Sequence, residues 1–186
     1  MITDLKTRPA SGNQFSSEQA TLRQIAADVL KYAREQGATD CETEASEGFG
    51  QTVTVRRGEV ETIEYNRDKS IGVTVYIGKR RGHASTSDFS PQAIRATAGA
   101  ALSIAKFTAS DDYAGLADEE LLAREIPDLD LFYPWDLPVE SAIELAQACE
   151  SAAFAVDKRI ANSEGATVSL QQSQFAYGNS LGFLGG

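Results

Sequence analysis

Apolar and polar residues alternate along this chain with two distinct periods, and the order of those periods predicts the fold. From Ser16 the spacing is helical: Leu22, Ile25, Ala26, Val29, Leu30 and Ala33 form one stripe. Ser16 and Gln19 stand at capping-box spacing, and Gly37 offers a left-handed stop. The period then falls to two. Cys41, Thr43 and Ala45 alternate with Asp40, Glu42 and Glu44; Gly48 and Gly50 read as a break; Val53 and Val55 resume the pattern. Arg57-Gly58 suits a tight hairpin. Ile63 and Tyr65 share one face of the return strand, and Asn66-Arg67-Asp68-Lys69 reads as a second turn. Ile71, Val73, Val75 and Ile77 are the cleanest period-2 run, with Gly72, Thr74, Tyr76 and Gly78 opposite. Lys79-Arg80-Arg81-Gly82 reads as a third turn, before a strand through Ala84 and Thr86. Turns this short join antiparallel neighbours, because parallel ones need a long crossover.

Helical spacing returns at Ser90-Pro91, an N-cap followed by proline at the first helical position. Ile94, Ala98, Ala101, Leu102 and Ala105 make an alanine-rich stripe suited to close packing. Residues 108–136 are acidic and irregular, with a short helical turn expected around Leu121. Pro138 opens a third helix with Ile143, Ala146, Cys149 and Ala153 inward, and strands are expected over 166–177 and 181–184. Strand runs flanked by helices predict an α+β fold, an antiparallel β-meander packed with α-helices. The expected organisation is a flexible arm over 1–15 and a helix–meander–helix body over 16–108. An acidic connection over 109–136 follows, then a helix with strands over 137–186, in the same domain or a subdomain. The last residues, just past a strand-like run, read as a cut end. The chain is thus expected to be the N-terminal domain of a two-domain protein, its C-terminal domain lying beyond 186.

Composition narrows the function. The chain has 186 residues and a net charge of −10, which disfavours non-specific nucleic-acid binding. No apolar run approaches the ~18 residues that span a bilayer, and the N-terminus lacks a signal-peptide core. Cys41 and Cys149 stand alone and far apart, which suits a reducing, cytoplasmic compartment.

Candidate chemistry is sparse. Asp40, Glu42 and Glu44 would lie roughly 7 Å apart on one strand face, too far to close on one ion, so a solvated face is the better reading. The same holds for Asp128 and Asp130. Arg56, Arg57, Arg67, Lys69, Lys79, Arg80 and Arg81 crowd into 26 positions near hairpin ends, with Arg57 and Arg80 expected at one end of the sheet. They read either as an anion-binding patch or as turn solubility and edge protection, and the lack of interleaved aromatics favours the second. His83 is the sole histidine. Ser85 and Ser87 share its face, but no nucleophile elbow or orienting acid accompanies it. Gly48-Phe49-Gly50 and the glycines from Gly182 to Gly186 match no phosphate-binding or dinucleotide fingerprint. No catalytic, cofactor-binding or metal-binding residue is assigned.

An ordered set of segments resembles the TldD/PmbA family, the modulators of DNA gyrase. It runs through Gly37-Ala38-Thr39, Arg57 to Glu61, Tyr65-Asn66, Ile71 to Tyr76, Arg81 to Ser85 and Asp88 to Ile94. It continues with Ala114 to Asp118, Pro127 to Phe132, Asp157 to Ile160 and Asn162 to Gly165. The segments Ser90 to Ile94 and Pro127 to Phe132 are similar to the PmbA (TldE) branch. The resemblance implies the N-terminal domain of a non-catalytic subunit in a TldD–TldE-type zinc metallopeptidase that processes and degrades peptides. Zinc is then expected in the TldD-type partner, on a His-Glu-x-x-x-His helix and a later cysteine, with no ligand carried onto this chain. Self-association is a further partnership to test. One alternative is a non-enzymatic module that modulates DNA gyrase. A weaker one is a small-molecule enzyme built on a carboxylate pair. Hydrolytic zinc needs about three protein ligands and an open position, which one histidine and two separated cysteines do not readily supply.

Overall fold

In the computed structural model, residues 15–186 are described; the arm expected over 1–15 lies, but for Phe15, outside them. Three helices, α1 (Gln19–Glu35), α2 (Pro91–Phe107) and α3 (Val139–Val156), accompany β1 (Asp40–Arg56), β2 (Glu59–Ile77), β3 (Arg80–Thr86), β4 (Ala166–Asn179) and β5 (Leu184–Gly185). The strands hydrogen-bond in the order β3-β2-β1-β4-β5, so consecutive strands form the meander and β4 joins its open side. The fold is α+β, as the two periods predict. A 3-10 turn at Glu119–Leu121 is the only regular element described between α2 and α3.

The chain divides into two compact units. One is built from Phe15–Glu47, Asp68–Asp130 and Ser173–Gly186. Its core joins Leu22, Ala26 and Val29 of α1 to Cys41 and Ala45 of β1, Ile71, Val73 and Val75 of β2, and Ala98, Ala101 and Ala105 of α2. Small residues let α2 come close: a Cβ on Gly82 would collide with the backbone of Ala101 and Ala105. Ser90 caps α2, its hydroxyl accepting from the Ala93 N–H at 3.3 Å. Gly37 ends α1 at φ 97°.

The other unit holds Gly48–Arg67 and Leu131–Gln172. Val53 and Val55 pack with Ala142 and Ala146 of α3, flanked by Leu137, Ile143 and Val168. Arg57 (φ 53°) and Gly58 (φ 79°) are both left-handed, the type I′ geometry that joins β1 to β2.

Each unit contains one inward glutamate that binds backbone far away in sequence. Glu47 accepts from the Ser16 N–H (2.7 Å), the Ser16 hydroxyl (2.6 Å) and the Ser17 N–H (3.1 Å). Glu150 accepts from the Arg57 N–H (2.9 Å), the Gly58 N–H (2.8 Å) and the Ser163 hydroxyl. Burial raises the Glu47 carboxyl, but its three serine donors outweigh that and hold it below the ordinary value. Glu150 is held low chiefly by Ser163, then by the Gly58 N–H.

Several sequence expectations are corrected. Ser16 does not cap α1; Glu18 occupies that position, and Ser16 binds Glu47 instead. β1 does not break at Gly48 and Gly50. Gly50 serves close approach, since a Cβ there would collide with Leu170 and Gln171. Residues 66–69 do not turn; they lie within β2. Their polarity reflects exposure, and their side chains find lateral partners: Asn66 exchanges amide bonds with Gln171 (3.4 and 3.3 Å), and Lys69 lies 4.9 Å from the Phe89 ring. On α3 the inward positions are Ala142, Ala146 and Glu150, while Cys149 and Ala153 are exposed. The stripe is set by what Glu150 must reach.

Two measurements test these contacts. Gly82→Ala should lower unfolding free energy by about 1–3 kcal/mol in urea titration, the usual range for overpacking; an unchanged midpoint would contradict the close approach of α2. Both glutamates have folded pKa values below 4.5, so their stabilisation is whole above that value and drains as pH falls through the folded values. Acid unfolding followed by circular dichroism should therefore begin below about pH 4.5, with a shallower slope in Glu47→Gln.

Candidate functional site

Alternation puts a row of polar side chains on the face of the first unit's strands opposite its helical core. Arg81 and His83 on β3 face Tyr76 and Thr74 on β2 in register. Glu42 on β1 and Tyr177 on β4 continue the row. The Tyr76 hydroxyl donates to Glu42 Oε1 at 3.1 Å, and the Tyr177 hydroxyl donates to Oε2 at 2.8 Å. Thr74 Oγ1 lies 3.0 Å from His83 Nδ1.

The segment after α2 forms one wall beside this row. The Asp111 N–H donates to the Lys79 carbonyl (2.9 Å), and Lys79 Nζ donates to the Ala114 carbonyl (3.1 Å). An Asx turn from Asp111 to the Tyr113 N–H (2.9 Å) shapes the wall. The resulting cleft, about 470 Å³, is lined by Tyr76, Arg81, His83, Asp111 and Tyr113 among others.

Burial and a shared carboxylate set the state of the two phenols. Burial pushes the Tyr177 phenol up to about 12, and its bond to Glu42 adds to the shift. Burial and Glu42 likewise raise Tyr76, while Arg81 pulls the other way. Both phenols stay protonated at neutral pH, and each occupies one oxygen of Glu42.

The structure separates the other candidates. Glu42 is clamped rather than solvated, which corrects the strand-face reading; Glu44 is exposed, and Asp40 accepts from Ser180 Oγ at 3.3 Å. Ser85 and Ser87 make no bond to His83 among the described residues; Thr74 takes its Nδ1. Cys41 is buried, its thiol pushed up to about 11 by desolvation, and Cys149 is exposed. Among the described residues no three His, Cys, Asp or Glu side chains come together as metal ligands. The donor set present does not fit a hydrolytic zinc, which needs about three ligands.

The basic residues are individually engaged. Arg56 binds the Ser163 carbonyl (3.2 Å) and lies 3.7 Å from Glu61; Arg57 binds Asn162 Oδ1 (3.1 Å). Arg67 sits over Phe49 at 5.6 Å. Arg80 donates to the Lys106 carbonyl at 3.0 Å, and Arg81 bonds to Tyr76. The sequence reading missed Tyr76 and Tyr177. Tyr76 was visible as the one aromatic opposite the Ile71–Ile77 run, but its partners, Glu42 and Arg81, lie on two other strands.

Family models match two parts of the chain: the PmbA/TldA metallopeptidase domain 1 over residues 41–105 and the central domain over residues 132–186. The chain is 43% identical over 175 residues to metalloprotease PmbA of Escherichia coli O157:H7, covering 94% of this chain and 38% of that protein. It is 40% identical over 170 residues to a PmbA homolog of Haemophilus influenzae, with 91% and 38% coverage. It thus spans well under half the length of these curated relatives. Its fold is shared by a candidate modulator of DNA gyrase from Bacteroides thetaiotaomicron, with TM-score 0.76 and 20% identity over 88% of this chain and 37% of that one. TldE from Thermococcus kodakarensis matches with TM-score 0.66 and 17% identity over 86% and 36%. Among the described residues no helix is long and apolar enough to cross a membrane.

The Glu42 clamp can be tested by titration. A phenol whose folded value is raised contributes stability below its ordinary pKa of 10 and loses it as pH rises towards the folded value. Ultraviolet titration should show a tyrosine ionising near pH 12 that disappears in Tyr177→Phe and moves back towards 10 in Glu42→Gln. Identical curves for all three proteins would contradict the clamp.

Proposed function

Because the chain belongs to the PmbA/TldD metallopeptidase family, we propose that it supplies the N-terminal part of a PmbA/TldE-like subunit that is itself non-catalytic. In this reading the subunit pairs with a TldD-type partner carrying the zinc, and the complex processes and degrades peptides in the cytoplasm. The observation that carries it is the match to PmbA along nearly the whole chain. The donor chemistry supports it. Cys41 is a buried, protonated thiol, His83 is engaged by Thr74, and Glu42, Glu47 and Glu150 are committed to hydroxyl or N–H donors. The TldE fold neighbour adds support for the fold of that branch. The polar row then acts in recognition, its protonated phenols and Arg81 offering fixed hydrogen-bonding and charged groups to a bound chain.

The test uses the full-length protein, a TldD-type partner, zinc and an unfolded peptide. Cleavage should require zinc and both subunits, and should survive Glu42→Gln with a raised KM. Full activity from the partner alone would overturn the reading. The candidate gyrase modulator among the fold neighbours motivates the competing one, an interaction module without proteolysis. Chelator-resistant capture of gyrase, with no peptide cleavage by the complex, would favour it.

A further inference from the structure

The cleft on the polar row holds two unlike charges that do not pair. Arg81 of β3 and Asp111 of the segment after α2 both line it, and both residues are exposed. Neither belongs to the ion pairs found among the described residues, which join Lys31 to Glu35, Arg56 to Glu61, Arg124 to Glu119 and Arg159 to Asp157. Other charged groups nearby are occupied. Lys79 Nζ donates to the Ala114 carbonyl (3.1 Å), Arg80 donates to the Lys106 carbonyl (3.0 Å), and Glu42 accepts from Tyr76 and Tyr177. None of these three charges lines the cleft.

Each side of the cleft keeps free hydrogen-bonding capacity. Arg81 is bonded to Tyr76, but a guanidinium has donors beyond the one that a phenol takes. His83 stands opposite Thr74 in register, with Nδ1 3.0 Å from Thr74 Oγ1. When the threonine hydroxyl donates to Nδ1, Nε2 carries the ring proton and can donate to a carboxylate. On the other side, Asp111 Oδ1 accepts from the Tyr113 N–H at 2.9 Å, and Oδ2 has no partner among the described residues. A lone cation in a cleft selects an anion, and a lone anion selects a cation. Both together, unpaired, select a ligand that carries both charges. The volume, about 470 Å³, falls within the ~300–1,000 Å³ of small-ligand sites. Tyr113, 97% exposed, offers a ring to the apolar part of such a ligand.

We propose that this cleft binds a small zwitterion, a short peptide with both termini free. Its carboxylate meets Arg81 and His83, and its ammonium meets Asp111. That such a peptide is a piece of the chain handled by a peptidase rests on the function proposed above; the binding itself does not.

The experiment is proton NMR on the 186-residue chain without zinc or partner. His83 is the sole histidine, so its ring Cε1–H resonance reports on the cleft directly. Alanyl-alanine should shift that resonance in a saturable way, and free alanine should bind more weakly. N-acetylation of the dipeptide removes its ammonium and amidation removes its carboxylate; each should weaken binding by about tenfold or more. Arg81→Gln should abolish the preference for the free dipeptide over its amide. Asp111→Asn should abolish the preference over the acetylated form, while its amide oxygen still accepts from the Tyr113 N–H and keeps the turn. The capped probes act on the unaltered chain, so the test does not depend on either variant folding. No saturable shift with alanyl-alanine, equal binding of either capped form, or alanine binding as tightly as the dipeptide would each overturn the proposal. None of these outcomes touches the peptidase reading, and failure of zinc-dependent cleavage by the complex leaves this cleft as it stands.

Discussion

A carboxylate wholly or partly withdrawn from water needs hydrogen-bond donors, and here the buried Glu47 and Glu150 and the half-buried Glu42 find them on the protein itself. Glu47 takes the chain ahead of α1, Glu150 takes the hairpin turn and Ser163, and Glu42 takes two phenols from different strands. These bonds close long sequence separations, so they fix where the helix enters, where β1 turns into β2, and how Tyr76 and Tyr177 stand on the sheet.

The same satisfied groups shape what the surfaces can do. With its phenols protonated, the polar row holds Tyr76 and Tyr177 on the two oxygens of Glu42. Arg56 and Arg57 at the hairpin are tied to Ser163 and Asn162.

Much of the fold was legible in the period of the sequence. The Ile71–Val75 run, the stripe of α2 with its Ser90 cap, and the Arg57-Gly58 turn are each local signals, and each is found where the pattern puts it. Polar residues misled where exposure mimics a turn: Asn66–Lys69 lie within β2 because β1 still supplies a partner strand. Gly50 misled because glycine marks close approach as well as breaks. The glutamate staples and the Glu42 clamp were illegible for a different reason. Apart from Ser163, which lies 13 residues from Glu150, their partners lie between 30 and 135 residues away, and no local window contains both ends.

The central claim is that this chain's donors serve its architecture rather than a hydrolytic metal. Calorimetric titration of the purified 186-residue chain with zinc, alongside a peptide-cleavage assay on the same sample, tests that claim most directly. The account predicts no stoichiometric high-affinity site and no cleavage. One tight zinc per chain accompanied by peptide-bond hydrolysis would contradict it.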